Sequence, residues 1–409
     1  MTSSTLPDDP RLVAEREGLG GLLHLYRTRI AQGELGPLPV VVGLAIIWAV
    51  FWYASNGAFF NPLNLTNMAL QMAAVGTIAV GVVFVLLLGE IDLTVGIVSG
   101  LCAGAMAVLN TKLGLPGPVA VLIALGIGAA IGALQGTWIT RFGIPSFVVT
   151  LAGLIGWAGT LLFILGSTGT INLTDPFITG LAGTFFNDVV AWVLGALFVV
   201  YVAAAGYLTR RGRVTAGLRA EPMFFIGARV AIVAIGTAAA LLIFAQDRGL
   251  PLSLVFLVAL IVVMDYVVKR TRFGRMVFAV GGNAEAARRA GIPIKRVRLV
   301  VFMIASLCAA WGGILGASRL LAVNQSAGSG TELLNAIAAA VIGGTSLFGG
   351  RGTVWAALLG ILVIQSISNG MDLLSFQPAA KQMITGAVLL AAVTVDAVAR
   401  RGRAQAGRV

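Results

Sequence analysis

Charge is what this sequence has least of. Of its 409 residues only 11% are Asp, Glu, Lys or Arg, where a soluble domain carries about a quarter. Hydrophobic residues make up 58%, and a water-soluble fold of this size would need far more polar surface to cover itself. Histidine occurs once, at His24, and cysteine twice, at Cys102 and Cys308. No Ser/His/Asp set, Cys/His metal spacing or HExxH pattern can be assembled from this inventory, so neither a catalytic constellation nor a metal site is expected. Both cysteines lie inside apolar runs and read as small buried hydrophobes. None of the four lysines, Lys112, Lys269, Lys295 and Lys381, follows a glycine. A Walker A loop needs Gly-Lys followed by Ser or Thr to cradle phosphates, so this chain binds no nucleotide by that route.

What the sequence has instead is long apolar runs. A spanning helix takes about 20 mostly apolar residues. Such windows fall near 38–55, 68–88, 93–110, 117–138, 146–166, 188–208, 229–245, 251–268, 299–318, 333–348, 354–371 and 380–398. Some are short or broken by glycine, which gives ten to twelve spans. Lipid offers no hydrogen bonds to a backbone, and a helix satisfies its own. A membrane barrel would show alternating polarity in segments of about ten residues, and unbroken runs such as 80–88 exclude it. The expected fold is an all-α polytopic transmembrane bundle over 38–398. Residues 2–32 are polar, and no short apolar segment with a cleavage site follows them, so the first span is expected to act as an uncleaved anchor.

Although charge is sparse, the net charge is +12, and 23 of the 28 Lys and Arg residues fall in 1–37, 139–145, 209–229, 269–298 and 399–409. All five segments lie between or outside the apolar runs. A nucleic-acid surface would interleave basic and stacking aromatic residues on one face, and that pattern is missing. Spanning proteins keep such segments on the cytoplasmic side, where they also meet anionic lipid. The loop 269–298, with nine basic residues, and 209–229, with five, are therefore expected in the cytoplasm. The sparsely charged turns 112–118 and 246–251 belong outside, with 167–187 as the longest external loop. An even number of spans puts both termini, the tail 1–37 and the basic tail 399–409, in the cytoplasm of a bacterial inner-membrane protein.

Gly126, Gly128, Gly132 and Gly136 recur near the helical repeat, as expected of close helix packing. Two segments interrupt the apolar pattern in a similar way, Gly-Glu-Ile-Asp-Leu-Thr-Val-Gly at 89–96 and Gly-Gly-Thr-Ser-Leu-Phe-Gly-Gly-Arg-Gly-Thr at 343–353. Non-helical backbone near membrane depth needs protein or water around it, and paired interruptions point to a transport pathway; a tight turn at the membrane edge is the other reading.

The loop 269–298 contains Gly281-Gly282-Asn283-Ala284-Glu285-Ala286-Ala287-Arg288-Arg289-Ala290-Gly291-Ile292. Asn283 suits an N-cap, Glu285 the first turn, Arg288 and Arg289 the last, and Gly291 the C-terminal stop. A helix of about two turns is too short to stand unless docked. It either couples to a cytoplasmic ATPase or rests on headgroups.

This run resembles the cytoplasmic loop of the ribose/xylose-type ABC sugar-importer permeases. The stretch 79–96 is similar to the early motif of that family, 145–153 to its mid-chain signature and 336–347 to its late one, in family order over about 60–398. Within the family the xylose type carries a segment comparable to 209–253, followed by a similar Arg-Phe-Gly-Arg run at 272–275. The resemblance implies a permease dimer, partner ATPase subunits that bind ATP and Mg, an extracytoplasmic sugar-binding protein, and a monosaccharide cargo with D-xylose favoured. Carried over position by position, it implies that Asn283, Glu285, Ala286, Ala287, Arg288 and Gly291 contact the ATPase. Polar groups at membrane depth are costly and tend to face cavities or partners. On that ground Gln71, Glu90, Asp92, Thr345, Ser346, Gln365 and Asn369 are candidates for the pathway. For Glu90 and Asp92, capping a helix start or pairing with a distant arginine such as Arg351 ranks above sugar contact. Gln365 and Asn369, four apart on one helix face, suit a hydrophilic stripe or interhelical glue. Other cargoes in the same family are ribose, another aldose, a polyol or a nucleoside. Outside it stands an ion-coupled carrier using a carboxylate such as Asp92.

Overall fold

The structure, a computed structural model, describes residues 38–405 except 167, 168, 219 and 221. The amino-terminal tail and residues 406–409 lie outside it, and so does the expectation for 1–37. Every apolar window becomes a helix. In chain order these are α1 (Leu38–Ala54), α2 (Pro62–Leu87), α3 (Val95–Ala107), α4 (Gly117–Phe142), α5 (Ser146–Leu165), a short α6 (Pro176–Gly183), α7 (Asp188–Thr215), α8 (Met223–Ala245) and α9 (Leu252–Arg270). Then come α10 (Arg272–Gly282), α11 (Ala284–Arg289), α12 (Ile294–Leu320), α13 (Gly330–Ile342), α14 (Trp355–Leu373) and α15 (Pro378–Gln405). Among the described residues nine helices are long and apolar enough to cross a membrane, and α1 and α13 are shorter apolar ones. The fold is an all-α polytopic bundle.

Local chemistry sets the boundaries. Asn61 Oδ1 accepts from Leu63 N at 3.0 Å with Pro62 at the first helical position, which starts α2. Asp175 Oδ1 starts α6 in the same way, accepting from Phe177 N at 2.9 Å and Ile178 N at 3.1 Å. Gly143, at φ +68°, ends α4 in the left-handed region. The helix α3 carries on through a π-turn, Val108–Lys112, which brings the span to 18 residues. The α13 helix stops at Ile342 instead of running through the expected window to 348, because the glycine-rich second break begins there. Its 13 residues rise about 20 Å at 1.5 Å each, short of the roughly 30 Å hydrocarbon core. It is half a span.

The ends of the bundle differ in character. At one end the basic segments gather: Arg270 donates to Thr209 Oγ1, Arg298 reaches Glu90, and both broken segments lie beside them. At the opposite end two small antiparallel ladders tie the loops. There β1 (Thr170–Asn172) pairs with β4 (Ala322–Asn324), and β2 (Phe185–Phe186) pairs with β3 (Leu250–Pro251). The expected long loop 167–187 therefore contains a helix and two short strands.

The axis is α2, with 89% of its most apolar stretch buried, while α7 at 6% and α8 at 11% stand at the periphery. The long α12 packs on α2, α3 and α4. Small residues permit this: a Cβ at Gly132 of α4 would collide with Phe302 O of α12, and Gly128 and Gly136 abut Ala310 and Leu299. Gly126 has nothing within 4 Å, so three of the four glycines act in helix packing. Lipid gives helices no hydrophobic reason to associate, and close backbone approach takes its place.

Candidate functional site

Three features can do work: an exposed charged helix, a junction of broken segments beneath it, and a cleft further in.

The charged helix is α11. Asn283 caps it, accepting from Ala286 N at 2.9 Å, and Gly291 at φ +78° stops it. Ala287, 4% exposed, joins the main core and anchors one side. A six-residue helix has too few internal hydrogen bonds to stand alone, so this docking holds it. The other side is charge. Glu285 Oε1 accepts from Arg288 Nη2 at 2.9 Å and from Arg289 Nε at 3.2 Å, and all three side chains are more than half exposed. The hydrogen bonds from Arg288 and then Arg289 hold the Glu285 carboxyl below its usual range. Exposed pairs of this kind add little to stability. Their value is as a rigid, patterned surface.

Just before α11, Gly281 lies against the end of α2. A Cβ at Gly281 would collide with Leu87 O, which also accepts from Gly350 N at 2.9 Å. Across the same point a Cβ at Gly349 would fall 2.6 Å from Gly281 O and 2.8 Å from Gly89 N. The first break (89–96), the second break (343–353) and the last turn of α10, which leads into α11, thus meet backbone to backbone. Gly89 and Gly349, at φ +73° and +83°, turn the chain there. Displacement of α11 has a short, stiff route to both breaks.

The cleft encloses about 210 Å³ and is walled mainly by glycine and alanine of α2, α3 and α12. Its polar groups are Ser99, Asn324, Ser326 and Glu332. Ser99 Oγ donates to Gly96 O at 2.5 Å and lies 3.4 Å from Glu332 Oε2, and Glu332 lies within electrostatic reach of Arg319. The floor is the irregular loop 325–329, pressed so closely on α3 that a Cβ at Gly100 would strike Ala327 O. Irregular backbone at this depth is permitted because protein surrounds it.

The seven residues proposed from sequence for the pathway lie elsewhere, in three groups. Glu90 Oε1 pairs with Arg298 Nη2 at 2.8 Å instead of with Arg351. Asp92 Oδ1 accepts from Thr94 N at 2.8 Å and Thr94 Oγ1 at 2.6 Å, fixing the turn into α3. Thr345 is buried and Ser346 Oγ accepts from Phe348 N at 3.2 Å, both inside the second break. Gln365 donates to Gln71, and Asn369 exchanges two hydrogen bonds with Asn64 at 2.8 and 2.9 Å. These amides join α14 to α2, which is the interhelical-glue arrangement. None of the seven lines the cleft. Sequence reasoning singled out none of the cleft's polar groups, Ser99, Asn324, Ser326 and Glu332. An isolated carboxylate opening an apolar half-span was the available signal for Glu332; nothing local marked Ser99, whose importance comes from the loop folded over it.

A family model described as branched-chain amino acid transport system / permease component matches residues 64–393. The chain is 36% identical over 367 residues to the xylose transport system permease protein of Escherichia coli (strain K12), covering 89% of this chain and 93% of that one. It is 33% identical over 357 residues to the corresponding protein of Haemophilus influenzae, covering 87% and 95%. It is 30% identical over 364 residues to the ribose import permease protein of Bacillus subtilis (strain 168), covering 89% and 92%. No solved structure matches.

Proposed function

The chain belongs to this family of transport permeases, within its ABC sugar-importer branch, and from that premise we propose that it conducts D-xylose across the bacterial inner membrane while ATPase subunits docked on α11 drive it. What carries this reading is the junction at Leu87, Gly281 and Gly350, which links an exposed charged helix to both broken segments. The basic end then faces the cytoplasm, as positive charge does, with both termini on that side. An extracytoplasmic binding protein delivers sugar to the opposite end, and a second copy of the chain completes the permease. ATP and Mg stay with the ATPase.

The cleft suits a neutral polyhydroxyl cargo. Ser99, Asn324, Ser326 and Glu332 offer hydroxyl, amide and carboxylate partners, while the glycine and alanine walls keep the hold weak. Weak hold is what conduction requires, since a tight site traps its cargo. The pathway candidates Gln71, Glu90, Asp92, Thr345, Ser346, Gln365 and Asn369 act on this reading by holding helices and breaks in register, and Asn283, Glu285, Ala286, Ala287, Arg288 and Gly291 form the ATPase contact.

Uptake of labelled pentoses and hexoses in a strain lacking its own importer tests the proposal. Xylose uptake that needs a co-expressed ATPase and survives an uncoupler is expected. Uptake that collapses with the uncoupler would make this an ion-coupled carrier, and preference for ribose or allose would reassign the cargo alone.

A further inference from the structure

A second cavity, larger than the cleft, belongs neither to it nor to the coupling surface. It encloses about 1000 Å³ between α7, α8 and α9, closed at one side by Trp355 at the start of α14. Two of these helices, α7 and α8, are the least buried of the nine spans.

Its walls divide by chemistry. Arg210, Arg213, Arg229, Lys269 and Arg270 line it toward the basic end, Arg210 and Arg229 with partners of their own, and the one carboxylate among the described lining residues is Asp265. Asp265 is already engaged by Lys269 at 2.8 Å, and Arg270 donates to Thr209 Oγ1 and to Ala205 O. Arg213 is exposed, and its guanidinium has no partner among the described residues. Deeper in, the lining is apolar, with Phe198, Val202 and Val233. Outside the mouth, Leu197, Val200, Ile232 and Ile235 of α7 and α8 are 60–72% exposed and carry the apolar surface onward.

An excess of cations over carboxylates among the described lining residues attracts an anion, and the guanidinium of Arg213 matches phosphate geometry with paired donors. The apolar depth and the exposed stripe beyond it want hydrocarbon. A single ligand satisfies both demands. We infer that this cavity binds an anionic phospholipid of the cytoplasmic leaflet, its phosphate held by Arg213 and its acyl chains lying on Phe198 and Val202. Basic pockets between spans on the cytoplasmic side are suited to anionic headgroups. The inference rests on the proposed orientation of the basic end and is independent of the cargo. Its consequence is structural: a bound lipid seats the peripheral pair α7 and α8 on the bundle.

The test uses the purified full chain in neutral detergent, loaded with phosphatidylglycerol or with phosphatidylcholine of identical acyl chains, and reads retained lipid by native mass spectrometry. Phosphatidylglycerol is expected to be retained preferentially, and Arg213→Gln to weaken its retention about fivefold, the effect of one charge near a headgroup. Arg213→Lys keeps most of the binding. Val202→Trp, which fills the depth without altering charge, expels the lipid, so the inference can be judged even where an arginine variant folds poorly. Arg296→Gln, at the same end but outside the cavity, leaves retention unchanged. Equal retention of the two lipids overturns the inference, as does an equal loss with Arg296→Gln, which would mean diffuse surface attraction. Displacement by millimolar inorganic phosphate would make the site one for free anions and overturns it too. No outcome reads sugar uptake, so failure here is separate from failure of the transport proposal.

Discussion

The two ends of α2 are held in opposite ways. At the basic end its last carbonyl, on Leu87, is wedged between Gly281 and Gly350, with no side chain between the three backbones. At the other end Asn64 and Gln71 reach α14 through amide side chains, to Asn369 and Gln365. Backbone packing leaves no slack, because any added atom must displace a carbonyl. Amide pairs are adjustable, and in membrane proteins such a bond averages about 0.6 kcal/mol. The difference locates rigidity where α11 meets the breaks and tolerance where the helices merely need gluing.

The comparison breaks most sharply at the charged helix. Glu285→Lys or Arg288→Glu is expected to reduce uptake to background and abolish co-purification with the ATPase while the permease still inserts, because both side chains are exposed. Normal transport in those variants would remove α11 from the coupling role. Next in size, Gly281→Val should cost about 1–3 kcal/mol, as overpacking does, read as a lower midpoint of unfolding in detergent. The neighbouring Gly282→Ala should be silent, since a Cβ there meets nothing within 4 Å; equal effects at both positions would dissolve the junction. Glu90→Gln leaves Arg298 without its counter-charge and should cost about 1–2 kcal/mol, less than a fully buried pair because the arginine is 32% exposed. At the tolerant end Gln365→Leu should cost about 1 kcal/mol and Gln71→Leu with Gln365→Leu less than either alone, because no amide is then stranded. A double variant worse than the sum would show that the amides face cargo or water.

The smallest effect concerns pH. The Glu285 carboxyl is held below its ordinary value of 4.5 by Arg288 and Arg289. Its pairing is therefore complete above that value and is lost only as pH falls through the depressed one. ATPase co-purification should be flat through the neutral range, and a fall near pH 6 would point to a different group.

Much of this was legible in the residues. Twelve apolar windows became helices, and the cap at Asn283, the stop at Gly291 and the acid-then-base order of α11 are arranged as read, since each depends on neighbours within about one turn. The pathway residues were harder. Glu90 was read as needing an arginine and found one, but Arg298 and not Arg351; charge identifies the need for a partner, and only folding supplies its address. The cleft went unread because its walls are glycine and alanine, residues whose ordinary meaning in a span is helix packing.

Hydropathy and capping, which act along the chain, were enough to determine a helical membrane protein, its approximate spans, its basic end and the short helix α11. Tertiary structure alone decided that two breaks over 250 residues apart touch at Gly89 and Gly349, that loop 325–329 folds into the bundle over Ser99, and that α7 and α8 leave a charged cavity behind them. The physical reason is range. Backbone hydrogen bonds and burial in lipid are settled within a turn or a span, whereas close approach and ion pairing depend on surfaces that meet only after the helices have assembled.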